Sequence, residues 1–299
     1  MSSICLEPPR IEQVSVACKF HTTVSVLRLD LVHPVVSGNK WFKLHAYLEA
    51  AARERKKTIV TFGGAFSNHI LATAAAAREA GFRSIGIIRG EAPATLSPTL
   101  QDARREGMEL HFVSRSGYRA QQVPQAVWDH HDPADLYLIH EGGYGQPGAA
   151  GAGAILQYVP PGAYDHIIAA VGTGTMLAGL VAASAAQQSV TGIPVMKNNF
   201  ALQAAINRLL PPEQQDRFTL VQGYHFGGYA RHQPALFRFM NDWYRQTSIP
   251  SDFVYTGKLF YAVNELLQQA HFTRDSRLLV IHSGGLQGNR SLPKGTLIF

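Results

Sequence analysis

The chain has 299 residues, of which 46% are hydrophobic and 16% charged, enough apolar material for a large core and too much for a disordered state. Its net charge of +6 at pH 7 comes from basic residues scattered along the chain, with no stretch that interleaves Lys or Arg with aromatics; this argues against a nucleic-acid partner and fits an attraction for small anions. No run reaches the roughly 18 apolar residues of a membrane span, and the 13 histidines include no His-Glu-x-x-His pair, so neither a membrane nor a metal is expected.

In chain order, the opening MSSICLEPPRIEQ lacks the basic and apolar regions of a signal peptide, which makes a cytoplasmic protein the expectation. Cys5 and Cys18 have no Cys or His at metal-ligand spacing and read as ordinary thiols. At residues 35 to 51 the chain reads VVSGNKWFKLHAYLEAA, a turn and then the start of a helix. Lys40 follows directly on Gly38-Asn39 inside an apolar stretch, although such a tripeptide by itself usually marks a turn with an exposed lysine. From residue 58 onward short β-branched runs alternate with Ala- and Leu-rich segments of helical length. Strands are expected at TIVTFG (58 to 63), SIGIIRG (84 to 90), ELHFVS (109 to 114), LYLIHE (136 to 141), DHIIAAVG (165 to 172), VTGIPVM (190 to 196), FTLVQG (218 to 223) and RLLVIHS (277 to 283). Helices fall between them, for example over 68 to 81 and 176 to 188. The strand segments are continuous apolar runs, as in a parallel sheet covered on both faces, so the class is α/β. No Gly/Ser linker separates two halves, and EGGYGQPGAAGAG (141 to 153) makes a glycine-dense crossing. A second domain is therefore expected to be inserted: residues 1–43 with 150–299 in a larger domain, 44–149 in a smaller one.

Several strand ends carry unusual residues. VGTGTMLAG (171 to 179) runs strand, glycine-rich turn, helix, so the N–H groups of Gly172, Thr173, Gly174 and Thr175 could wrap a phosphate; it matches neither the dinucleotide nor the P-loop pattern, and a tight turn alone would also need its glycines. GGAFSNHI (63 to 70) puts Ser67, Asn68 and His69 at a helix start, which is either a cap or a carboxylate site. GGYARH (227 to 232) and DFVYTGKL (252 to 259) place Tyr229 and Tyr255 on glycine-flanked loops, where tyrosines usually pack. Thr256 and Lys258 read by default as a turn residue and a solvated charge.

Taken in order, GNK, GG..SNH, EGG, VGTGT..AG, FGGY, YTGK and SGGLQG resemble the family of pyridoxal-phosphate enzymes that contains 1-aminocyclopropane-1-carboxylate deaminase and D-cysteine desulfhydrase, over about residues 8 to 289. The resemblance implies a tryptophan synthase β-like fold of two open, twisted, mostly parallel sheets flanked by helices, a homodimer, and pyridoxal 5'-phosphate as cofactor. It implies that Lys40 forms the Schiff base, that Asn68 meets the ring hydroxyl, and that Gly172 to Thr175 hold the phosphate. Ser67 and His69 would receive the substrate carboxylate or assist chemistry, Tyr255 would sit over the ring, Tyr229 would be a second active-site tyrosine, and Thr256 would face the pyridine nitrogen. Val35, Val36, Trp41 and Phe42 would supply the apolar setting that eases a neutral lysine. Ring-opening members carry glutamate where Thr256 stands and tend to carry glutamine at His69. The expected activity is therefore elimination and deamination of a small, D-configured amino acid, with ring-opening deamination or a non-catalytic ligand-binding homologue as alternatives. The chain departs from the family's pattern at Thr175 and Met176 in the phosphate turn, and at Phe42, where a basic residue is common.

Overall fold

A computed structural model describes residues 6–299; Cys5 lies outside the described residues. In chain order the strands are β1 (Arg10–Val14), β2 (Thr23–Arg28), β3 (Thr58–Gly63), β4 (Arg83–Arg89), β5 (Met108–Val113), β6 (Leu136–Ile139), β7 (His166–Val171), β8 (Ser189–Pro194), β9 (Phe218–Leu220) and β10 (Arg277–His282). The helices are α1 (Asn39–Arg53), α2 (Asn68–Glu79), α3 (Pro98–Arg105), α4 (Arg115–Arg119), α5 (Gln125–Trp128), α6 (Gln146–Gly153), α7 (Thr175–Ala183), α8 (Leu202–Asn207), α9 (Pro234–Thr247) and α10 (Thr256–Gln268).

Two sheets result, one of six strands in the order β1-β2-β10-β7-β8-β9 and one of four in the order β5-β4-β3-β6. Every pairing is parallel except β1 on β2. The four-stranded sheet is drawn wholly from Thr58–Ile139, while the six-stranded sheet takes strands from both sides of that segment. The α/β class and the two mostly parallel sheets read from the sequence are what the chain forms.

The eight expected strands are present, β3 with the expected bounds and the others with shifted ends. β1 and β2 are additional: RIEQV mixes Arg10, Glu12 and Gln13 with apolar residues, as an edge strand does, and the interior strand TVSVLR interrupts its apolar run with Ser25 and ends on Arg28. The helix expected over 176 to 188 starts at Thr175 and stops at Ala183: Ser184 turns extended and its hydroxyl donates to the Val181 carbonyl at 2.9 Å, a local bond that competes with helix continuation.

The core holds the strand ends in place. Val280 of β10 lies in register between Val26 and Ile168, and all three are fully buried; each such side chain stabilises the fold by about 1.5–3 kcal/mol on leaving water. In α2, Ala72 and Ala74 to Ala77 are all buried, and small side chains let this helix pack close to α1 and β4. No helix among the described residues is long and apolar enough to cross a membrane.

Candidate active site

Parallel strands leave helix starts and free N–H groups at their carboxyl ends, where an anion meets donors and a favourable dipole. In both sheets those ends line one cleft of about 680 Å³. The smaller sheet contributes Gly64–His69 after β3, Arg89 at the end of β4, and Glu141 and Gly142 after β6. The larger contributes Gly172–Gly174 after β7, Met196 after β8 and Ser283–Gly285 after β10. Asn39, Lys40 and Lys43 enter from the start of α1, and Tyr229 and Tyr255 from the loops before α9 and α10.

Gly38 sets the entry of α1. Its φ of +73° suits glycine, and a Cβ there would lie 1.9 Å from the Ser283 carbonyl oxygen. The Asn39 N–H donates to that same oxygen at 3.2 Å, so the helix begins against the end of β10. Lys40 faces the cleft, while Val36, Trp41 and Phe42 are buried in the core beside it. Lys40 Nζ donates to Asn39 Oδ1 at 2.8 Å. Burial lowers its pKa to about 8, opposed in part by the negative charge of Asp252; about a tenth of this amine is then neutral at pH 7. One turn on, Lys43 Nζ donates to the Gly142 carbonyl at 3.1 Å. Burial, and after it the charge of Lys40, holds Lys43 well below the ordinary lysine range.

Ser67 does cap α2, its hydroxyl accepting the Ile70 N–H at 3.4 Å. Asn68 differs: its Oδ1 is buried and has no hydrogen-bond partner, although it lines the cleft. His69 is 2% exposed, with Nε2 at 2.9 Å from Thr61 Oγ1. The Thr61 hydroxyl gives its proton to the Ile139 carbonyl at 2.8 Å, so it accepts from His69 Nε2–H and leaves His69 Nδ1 bare. That buried Nδ1 has no partner. Burial, then the charges of Lys40 and Lys43, pushes the imidazole well below its usual pKa, so it is neutral.

Between β7 and α7, Gly174 takes φ +89° as the N-cap and offers no side-chain cap. The first N–H groups of α7 have no acceptor within the helix. Lys43 stands close by, since the Gly142 carbonyl it binds belongs to a residue whose added Cβ would lie 2.8 Å from Thr173 Cγ2. Tyr255 packs on the same turn: a Cβ at Gly172 would lie 3.2 Å from its ring, and the Tyr229 ring meets it edge-on with centroids 6.1 Å apart. The side chains of Thr175 and Thr256 do not line the cleft. Thr175 is fully buried, with its hydroxyl 3.0 Å from that of Thr173 and its methyl toward Gly148. Thr256 is fully buried too, donating its hydroxyl to Asp252 Oδ1 and accepting the Asp252 N–H, both at 2.8 Å.

The model of the family described as pyridoxal-phosphate dependent enzyme matches residues 19–284. The chain belongs to that family. A bifunctional D-cysteine desulfhydrase/1-aminocyclopropane-1-carboxylate deaminase, mitochondrial, of Arabidopsis thaliana is 27% identical over 89% of this chain and 73% of its own. A D-cysteine desulfhydrase of Klebsiella pneumoniae is 24% identical over 88% and 86%. A crystal structure of an ACC deaminase homologue superposes with a TM-score of 0.83 at 22% identity, covering 96% of this chain and 92% of that one, which shows the shared fold.

The cleft suits the cofactor of a pyridoxal-phosphate dependent enzyme on this chain's own geometry. An aldehyde needs a primary amine with a neutral fraction, and Lys40 has one. A phosphate needs hydrogen-bond donors, and the N–H groups at the start of α7 and the Lys43 amine beside them supply these. A ring hydroxyl would relieve the unpartnered buried amide of Asn68.

Sequence reasoning passed over Asp252 and misjudged Lys258. Asp252 is fully buried and accepts the N–H groups of Val254, Tyr255 and Thr256, each at 2.9 Å, besides the Thr256 hydroxyl. Its signal in DFVYT is an aspartate placed to collect the free N–H groups ahead of a helix. Lys258, read as a solvated charge, is fully buried: Nζ donates to the carbonyls of His225 at 2.8 Å and Gly228 at 2.7 Å, and burial lowers its pKa to about 8. It ties α10 to the loop that carries Tyr229. Lys258→Met is expected to cost about 1–3 kcal/mol in urea unfolding, as two buried carbonyls lose their donor, and to raise KM more than it lowers kcat. A wild-type unfolding midpoint in this variant would refute that role.

Proposed function

We propose that the chain is a lyase for a small D-amino acid, D-cysteine foremost, releasing the β-substituent and yielding a 2-oxo acid and ammonia. The observation that carries this reading is the Lys40 amine, lowered by burial to about 8, in one cleft with the start of α7 and the unpartnered amide of Asn68. When bound, pyridoxal phosphate supplies the aldehyde that a primary amine attacks and the electron sink that makes a neighbouring C–H bond acidic.

The chain's residues then divide the work. Lys40 Nζ holds the cofactor at rest and takes the Cα proton during turnover. The Gly172–Thr175 backbone and Lys43 hold the phosphate, Asn68 the ring hydroxyl, and Tyr255 covers the ring with Tyr229 edge-on against it. Ser67, at the start of α2, receives the substrate carboxylate. His69 presents a bare Nδ1, which accepts but cannot donate, so a carboxylate is a poor partner for it and a substrate ammonium or thiol a good one.

The residue behind the cleft at position 256 favours elimination. Thr256 spends its proton on Asp252 and offers no carboxylate to the cleft, so nothing there holds a proton on a ring nitrogen as a glutamate would. A weaker electron sink suits a substrate whose β-substituent leaves readily. Given D-cysteine, D-serine, 3-chloro-D-alanine and 1-aminocyclopropane-1-carboxylate, the enzyme is expected to release 2-oxo acid and ammonia from D-cysteine and 3-chloro-D-alanine at rates about a hundredfold or more above the cyclopropane, a difference of roughly 3 kcal/mol in barrier. The reverse ranking would assign ring-opening deamination instead.

A further inference from the structure

Beside the cleft lies a second recess of about 580 Å³, lined by Arg89, Arg115, Tyr118, Arg119, Gln121 and Glu141. Arg89 and Glu141 line both spaces, so the two adjoin at those side chains. The topology explains the cluster. Arg89 ends β4, α4 with Arg115 and Arg119 follows β5 directly, and Glu141 follows β6, so all rise from the carboxyl edge of the smaller sheet. Three arginines and one glutamate line the recess, with Arg115 and Arg119 open to solvent. Among the described residues no ion pair within 4.0 Å joins any of the three arginines to an acidic side chain.

A second observation points to a ligand. Tyr118 is 4% exposed, and its buried hydroxyl makes no hydrogen bond of regular geometry, although the Glu141 carboxylate and the Gln121 side chain stand within its reach. Burial raises its pKa, so the group stays a donor. The Arg89 guanidinium carbon sits 5.7 Å from the centroid of that phenol ring, which holds the cation at the junction of cleft and recess. Arg89 Nη2 is also 3.5 Å from where a Cβ on Gly64 would stand, so it abuts the loop that leads to Ser67. Guanidinium forks and a phenol O–H together match an oxyanion with two or three acceptor oxygens.

Resting on the amino-acid reading above, we infer that this recess receives a distal anionic group, a second carboxylate or an equivalent oxyanion, on the side chain of the amino acid bound in the cleft. Arg89, Arg115 and Arg119 attract it, Tyr118 donates to it, and Glu141 opposes it, narrowing the choice to ligands that reach past Glu141 to the arginines. The enzyme's substrate class then extends to acidic amino acids and their β-substituted analogues.

The test is a titration of the holoenzyme with D-aspartate against D-asparagine and D-glutamate against D-glutamine, and with both L pairs, following the cofactor's near-visible absorbance; D-alanine and D-cysteine serve as references. In at least one pair the acid is expected to bind about tenfold more tightly than its amide, an advantage that shrinks as salt is added. In Arg115→Met/Arg119→Met the acid-to-amide ratio falls to about one, and in Glu141→Gln it rises. No acid preference in any pair, or a preference that survives the double variant, overturns the inference while leaving the amino-acid reading intact. If neither D-alanine nor D-cysteine perturbs the absorbance, the amino-acid reading itself falls and takes this inference with it.

Discussion

Lys40→Ala is expected to lower turnover of D-cysteine by about 10⁴-fold or more and to remove the near-visible absorbance of the purified enzyme, because in the proposed mechanism the variant loses both the amine that holds the cofactor and the base that takes the Cα proton. Lys43 is the obvious substitute, a second amine in the same cleft whose pKa burial also lowers well below the ordinary lysine range. Its Nζ is committed to the Gly142 carbonyl beside the α7 start, so it is expected not to rescue. The pH dependence checks the assignment without relying on turnover. An amine attacks as the neutral form, so capture of pyridoxal phosphate by apoprotein should rise with pH through the Lys40 value of about 8, by roughly fivefold from pH 7 to pH 8, and level off above pH 9. A stopped-flow absorbance series measures this. Equal capture rates at pH 6 and pH 9, or a Lys40→Ala variant that still turns over D-cysteine at a tenth of the wild-type rate, would remove Lys40 from the chemistry.

The second large effect is at Asp252. Asp252→Ala strips the acceptor from three backbone N–H groups and one hydroxyl, all buried, and is expected to destabilise the fold by about 3–5 kcal/mol, with a fall in Tm of roughly 6–15 °C. Asp252→Asn removes the charge but keeps one acceptor oxygen of two, so its NH2 must face either the Val254 and Tyr255 N–H groups or the Thr256 N–H and hydroxyl, and a smaller loss of stability than in the Ala variant is expected. The charge of Asp252 raises the Lys40 pKa against the lowering by burial. Removing it therefore lowers that pKa further, and the cofactor-capture profile of the Asn variant should shift to lower pH, with more neutral amine at pH 7 than in the wild type. A shift to higher pH would mean that Asp252 does not act on Lys40 through its charge. Unfolding of the two variants reports the structural duty, hydrogen bonding ahead of α10, while the capture profile of the folded Asn variant reports the electrostatic one.

How well the site could be read before the fold was known varies residue by residue. GNK, SNH and the glycine turn after β7 were visible because each breaks the local rule of its element: a lysine amid apolar neighbours, three polar residues opening an alanine-rich helix, glycines where a strand passes into a helix. The structure brings Lys40, Ser67, Asn68, His69, Gly172, Thr173, Gly174, Tyr229 and Tyr255 to one cleft. Thr175 and Thr256 read the same way in the sequence, yet their side chains turn inward, because the helix positions they occupy face the core and their hydroxyls find partners there. Lys258 was read backwards for a related reason. Whether a lysine is solvated or buried depends on whether carbonyls from elsewhere in the chain converge on it, here those of His225 and Gly228.

What this chain's sequence determined unaided was its class, the positions of its central strands along the chain and the residue types available for chemistry, since apolar runs, glycine turns and helix starts are local signals that each segment carries by itself. What only the tertiary structure decided was ionisation and company. The amine at Lys40 falls to about 8, the His69 imidazole keeps its proton on Nε2, and three arginines gather beside the cleft. Each of these depends on desolvation and on charges or acceptors brought close from distant segments, which are properties of packing rather than of neighbouring residues in the chain.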